Sequence, residues 1–148
     1  MLDKEHRTPE TLKDIPAGVE LKQANTEETK IFVAPYDAKQ IYMSQFSHRN
    51  EKYDINIEPT RQMYSEYFSG GMNSIVFQEM RESRGLAYTA YAGLASPSFQ
   101  KYDYTFISYI ATQNDKMMDA IKAFNEIINE MPQSEPAFNL AKEAIIAR

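Results

Sequence analysis

The chain contains no cysteine, so neither a disulfide framework nor a thiolate metal site is open to it. Histidine is almost as scarce. His6 and His48 are the only two, and neither has a second histidine within a helical turn. A protein zinc site needs at least three ligands in reach of one another. Both histidines therefore read as exposed or half-buried polar side chains, and this chain is expected to bind no metal or other cofactor. No apolar run exceeds a few residues, which excludes a membrane-spanning helix. Met1-Leu2-Asp3-Lys4-Glu5-His6-Arg7 has no apolar core of the kind a signal peptide needs. A basic stripe is missing too, and a net charge of −5 argues against a nucleic-acid footprint.

What is present suits one ordinary domain. The 148 residues are 43% hydrophobic and 25% charged, enough for a real core and short for two domains. Residues 1–29 mix charges of both signs with Pro9 and Pro16 and show no sustained periodicity. They read as a linker or N-terminal extension, followed by a domain over 30–148. Within it, Lys30–Tyr36 reads as a strand with Pro35 at its end or edge. Lys39–His48 alternates, with Tyr42 and Phe46 on one face and Ile41 and Met43 on the other. Arg49–Asn56 is polar and reads as a loop. Ile57–Ser69 is an amphipathic helix with Pro59 near its start and Met63, Tyr64, Tyr67 and Phe68 on one face.

Further along, Leu86–Ala95 and Tyr102–Thr112 read as antiparallel strands joined through Ser96–Lys101. Asn114 is placed to cap a helix whose apolar positions are Met117, Ile121, Phe124, Ile128 and Met131. Ser134 and Pro136 open a last helix that stops at Arg148 while still periodic, as in a domain truncated at its C-terminus. The order β-β-α-α-β-β-α-α points to an α+β two-layer sandwich, with an antiparallel-rich sheet and helices packed on one face.

The stretch from Tyr67 to Tyr88 organises the rest. Ser69-Gly70-Gly71 supplies backbone freedom for φ > 0 and stops a helix. Asn73 and Ser74 are suited to cap a second, short helix, and Ile75, Val76, Phe77 and Met80 give it apolar cover. Arg81 and Arg84 lie at the negative end of its dipole, and Gly85 ends it. Read as a phosphate loop, Gly70-Gly71 fails, since no G-x-x-x-x-G-K-[S/T] follows. Glu79 and Glu82, interleaved with the two arginines, read as a salt-linked solvated face.

Gly70-Gly71-Met72-Asn73-Ser74, Phe77-Gln78-Glu79-Met80-Arg81-Glu82 and Arg84-Gly85-Leu86-Ala87-Tyr88 together resemble the second-domain signature of the pitrilysin/insulinase zinc metallopeptidases. That family also holds the mitochondrial processing peptidases and the core subunits of the respiratory bc1 complex. The likeness is strongest over residues 67–95. Many relatives carry three glycines where this chain has Ser69-Gly70-Gly71.

The resemblance implies a non-catalytic, C-terminal-type domain of a metalloendopeptidase. The catalytic half of such an enzyme carries H-x-x-E-H, and zinc belongs there. By this likeness the chain forms part of a chamber that holds peptide substrate opposite the zinc, with the zinc-bearing half or subunit as its partner. Arg81 and Tyr88 match the family's arginine–tyrosine pair, which hydrogen-bonds substrate main chain near the scissile bond. The chemistry is apt, because a fixed guanidinium fork and a neutral phenol are donors that gain strength as a carbonyl becomes an oxyanion. Gly70 and Gly71 would lie in a loop near substrate, and an exposed edge strand could pair with an extended peptide. The plainer reading makes Arg81 a dipole-complementing surface residue and Tyr88 a core residue, with Arg84 structural. The rival of another class is a scaffold subunit that kept the fold without proteolysis.

Overall fold

The computed structural model describes residues 11, 13–19 and 24–148, which fall into two compact units, 1–35 and 36–148. His6 lies outside the described residues. In the first unit the described residues carry no helix or strand. The strand expected at Lys30–Tyr36 is therefore absent. Ile31, Phe32 and Val33 have the propensity for one, but a strand exists only by pairing, and these side chains are at least 80% exposed. An exposed ion pair joins Lys30 to Glu28 at 2.7 Å.

The second unit is α+β. Its three strands are β1 (Gln40–Ser47), β2 (Thr89–Ala95) and β3 (Thr105–Gln113). They form one antiparallel sheet in the order β1-β3-β2. Among the described residues this is one strand fewer than the sequence pattern suggested. The register places Met43 opposite Ile110 and Ala90 opposite the same residue from the other side. Side chains alternate across a sheet, so Met43, Ala90, Ala92, Phe106 and Ile110 share the face that meets the core. The opposite face presents Tyr42, Phe46, Tyr91 and Tyr109, with Tyr42 stacked on Tyr109 at a centroid distance of 6.1 Å.

Helix α1 (Glu58–Ser69) follows a 3₁₀ turn at Ile55–Ile57 and has Pro59 in its first turn, where no intrahelical amide is needed. It buries Tyr67 and Phe68, with Met63 and Tyr64 partly covered beside them, as its sequence pattern suggested. The Tyr67 hydroxyl donates to the Pro132 carbonyl at 3.1 Å and accepts from the Ser134 amide at 2.9 Å, tying α1 to a distant turn. Helix α2 (Ile75–Phe77) is a single turn that runs directly into a π-helix over Gln78–Ser83. Helix α3 (Met117–Asn129) buries Met117, Ala120, Ala123, Phe124 and Ile127. Helix α4 (Glu135–Ile146) begins at Ser134, whose side chain accepts from the Ala137 amide.

Local details correct the sequence reading. Gly70 and Gly71 do not use φ > 0; among the described residues only Gly85 (φ 57) and Asn50 (φ 58) do. Gly70 is needed for a different reason. A Cβ there would lie 2.5 Å from Glu66 Cα, so the helix end leaves no room for one. Ser74 occupies the N-cap position of α2, yet its hydroxyl donates backwards to the Gly71 carbonyl at 2.6 Å and caps nothing. Asn114 opens a 3₁₀ turn rather than capping α3, and its side-chain Nδ2 donates to the Ala38 carbonyl at 3.1 Å. On α3 the fully buried positions include Ile127 in place of Ile128, while Met131 is exposed.

Candidate functional site

Gly85 is the pivot of the site. Its left-handed backbone ends the π-helix and turns the chain back. The Leu86 and Ala87 amides then both donate to the Met80 carbonyl, at 2.9 and 3.2 Å. One residue later the Tyr88 amide donates to the Ala111 carbonyl at 2.9 Å, ahead of the β2 ladder proper. The Thr112 hydroxyl donates to the Leu86 carbonyl at 2.6 Å, and the Lys116 ammonium lies 3.4 Å from the Gly85 carbonyl. The segment from Gly85 to Tyr88 is thus fixed from the π-helix on one side and from β3 on the other.

This turn places Arg81 and Tyr88 on the wall of one concavity of about 520 Å³, together with Gly85, Tyr42, Tyr109 and Lys116. Arg81 stands half-exposed, with its guanidinium carbon 5.0 Å from the centre of the Phe77 ring and its Nε 3.6 Å from Glu82. Resting on an aromatic face orients the guanidinium at modest entropic cost. Tyr88 is 79% exposed. By strand alternation it would face the helices, like Ala90 and Ala92. It escapes burial because regular pairing of β2 starts only at Thr89. Tyr91 lines a separate cavity of about 440 Å³, so only one of the two tyrosines faces the Arg81 wall.

The remaining sequence candidates lie elsewhere. Gly70 lines the cavity that holds Tyr91, Arg61 and Ser65, and Gly71 borders a small recess of about 90 Å³ beside Met72 and Ala137. Neither joins Arg81 and Tyr88. Arg84 is structural: its Nη1 donates to Glu126 of α3 at 3.0 Å, and its Nε is 3.5 Å from Glu79. Lys116, Tyr42 and Tyr109 were not singled out as site residues by the sequence reading. Their convergence depends on strand register, which no local pattern announces. The one usable signal was the alternation that puts Tyr42 and Phe46 on one face of β1.

The donor chemistry does not suit zinc. Among the described residues no three His, Cys, Asp or Glu side chains gather. His48 approaches Asp103, Nδ1 to Oδ2 at 3.8 Å, but the Lys52 ammonium already sits 2.6 Å from that carboxylate. A cation is in place there, and among the described residues no third ligand joins them.

Over residues 10–145 the chain matches the family model described as the peptidase M16 inactive domain. Its fold is similar to the crystal structure of a peptidase M16 inactive domain from Pseudomonas fluorescens. That match has a TM-score of 0.59 at 17% identity and covers 75% of this chain. The aligned part spans only 27% of that protein's chain. No curated protein matches the sequence.

Proposed function

The chain belongs to the family of peptidase M16 inactive domains, and on that footing we propose that it forms the non-catalytic wall of a peptide-binding chamber. Its partner is the zinc-bearing half or subunit of the same enzyme, and its ligand is the main chain of a peptide substrate. Arg81 and Tyr88 are its contacts. The guanidinium and the phenol donate to peptide carbonyls near the scissile bond, and the phenol helps to hold the oxyanion that develops there.

One observation supports this reading above the others: the pair stands open to solvent on the wall of a single cavity. A guanidinium used only to complement a helix dipole has no need of a concave neighbour, and a core tyrosine would be buried. The sheet adds a second, sequence-tolerant contact. β1 is an outer strand, and an extended peptide added to its free edge would gain main-chain hydrogen bonds.

The test is kinetic. In the complete enzyme that unites this domain with its zinc half, Arg81→Ala and Tyr88→Phe are each expected to lower kcat/KM on peptides about 10²-fold. Unchanged kinetics would remove the assigned role. Absence of peptidase activity in the assembled enzyme would favour the scaffold reading instead.

A further inference from the structure

The cavity that holds Arg81 and Tyr88 has a charge character unlike that of the whole chain. The chain carries 16 basic and 21 acidic residues, yet the cavity lining contains two cations, Arg81 and Lys116, and not one Asp or Glu. The nearest carboxylate to Arg81 is Glu82, 3.6 Å away with both side chains about half-exposed, which leaves most of the guanidinium fork unused. Lys116 has no carboxylate partner among the described residues, and its one polar contact is the long approach to the Gly85 carbonyl. Three tyrosines, Tyr42, Tyr88 and Tyr109, add hydroxyls to a polar lining that also holds Gln40, Thr89, Thr112 and Gln113, and the Tyr42 hydroxyl donates to Gln40 Oε1 at 3.2 Å.

We infer that this cavity selects peptides bearing a carboxylate, seated between Arg81 and Lys116. The inference rests on the reading that peptide docks at this wall and adds the class of peptide preferred. A carboxylate there meets donors on several sides and no like charge in the lining. A lysine or arginine side chain would meet two cations and no acidic residue in the lining, with only Glu82 beside Arg81 to offset one of them, so the same arrangement disfavours basic peptides. The guanidinium, on the π-helix, is suited to a bidentate grip, and the ammonium, on the turn after β3, to a point contact. Two sources of that group fit: an acidic side chain within the peptide, and the free carboxylate at its end.

The test is an NMR titration of the 148-residue chain with peptides of one sequence. They carry Glu, Gln or Lys at one position and are blocked at both ends; a fourth is the Gln peptide with a free C-terminus. Exposed ion pairs are individually weak, so two of them are expected to favour the Glu peptide over the Gln peptide about fivefold. The Lys peptide binds weakest, and the preference shrinks at ionic strengths of about 0.3 M. Lys116→Gln, an exposed change that leaves the core intact, is expected to bring the ratio of Glu-peptide to Gln-peptide affinity down toward one, and Lys116→Arg to keep the preference. If the free-acid Gln peptide matches the Glu peptide, the chain end is a sufficient source; if it binds as the blocked one does, the side chain is required. Either result supports the inference when the Glu or free-acid peptide binds tightest. Equal affinities for all four would overturn the carboxylate preference and leave the docking reading standing. No shifts at Gly85–Tyr88 or Lys116 with any peptide would overturn both.

Discussion

At the scale of single residues, two glycines do different work, and one pair of substitutions separates them. Gly85 needs its left-handed φ and has open space around it. Gly85→Ala should cost about 1–2 kcal/mol from backbone strain, and Gly85→Asn, which tolerates that region, should recover much of the loss. Gly70 needs space and not φ. Gly70→Ala should cost about 1–3 kcal/mol through overpacking against the α1 backbone, and Gly70→Asn should be no better. Urea denaturation of the four variants checks the contrast. Glu58 supplies a pH signature. Burial pushes its carboxyl pKa up, but hydrogen bonds from Ser96, Arg61 and Tyr104, with the Arg61 charge, outweigh that and hold it below the ordinary 4.5. The folded chain thus binds fewer protons here than the unfolded one. The resulting stabilisation is complete above pH 4.5 and is lost as pH falls through the lower folded value. In urea melts across that acid range, Glu58→Gln should flatten the decline in stability; an unchanged slope would place the titrating group elsewhere.

At the scale of elements, β2 shows how an edge strand is protected. On its outer side the Leu94 carbonyl accepts from Arg61 Nη1 at 2.9 Å, and the Ala92 amide donates to the Ser69 hydroxyl at 3.1 Å. Two side chains of α1 thus occupy groups that would otherwise recruit another strand. Replacing both, Arg61→Ala with Ser69→Ala, should produce concentration-dependent self-association in sedimentation experiments, while the parent chain does not gain it under the same conditions. These elements also show what the sequence revealed. The apolar stripe of α1 was legible because local periodicity marks the face a helix buries; the alternation of β1 separated Tyr42 and Phe46 from Ile41 and Met43, but pairing with β3 decides which of them meets the core. The strand at 30–36 was misread because β propensity does not supply a partner. The Asn114 cap differs from the expectation because the helix is preceded by a 3₁₀ turn, and the bond that orients the Asn114 side chain, Nδ2 to the Ala38 carbonyl, spans 76 residues of sequence. The π-helix at Gln78–Ser83 left no mark in the hydrophobic pattern, since one extra residue per turn disturbs a six-residue stretch too little to be seen.

At the scale of the whole molecule, the candidate site was half legible. Arg81, Gly85 and Tyr88 are close in sequence, so a helix, a turn and a strand start were enough to bring them near one another. The cavity was not legible, because Tyr42, Tyr109 and Lys116 reach it only through the β1-β3 register and the turn after β3. The absence of acidic residues from its lining is likewise a property of the folded surface, invisible in a chain with net charge −5. The central claim is that Arg81 and Tyr88 act together on one stretch of peptide backbone. A double-mutant cycle on kcat/KM in the assembled enzyme tests it most directly. If both donors serve the same reacting carbonyl, Arg81→Ala and Tyr88→Phe each cost about 10²-fold, and the double variant loses clearly less than the product of the two. Losses that simply multiply would mean two independent sites, and wild-type kinetics in either single variant would contradict the claim outright.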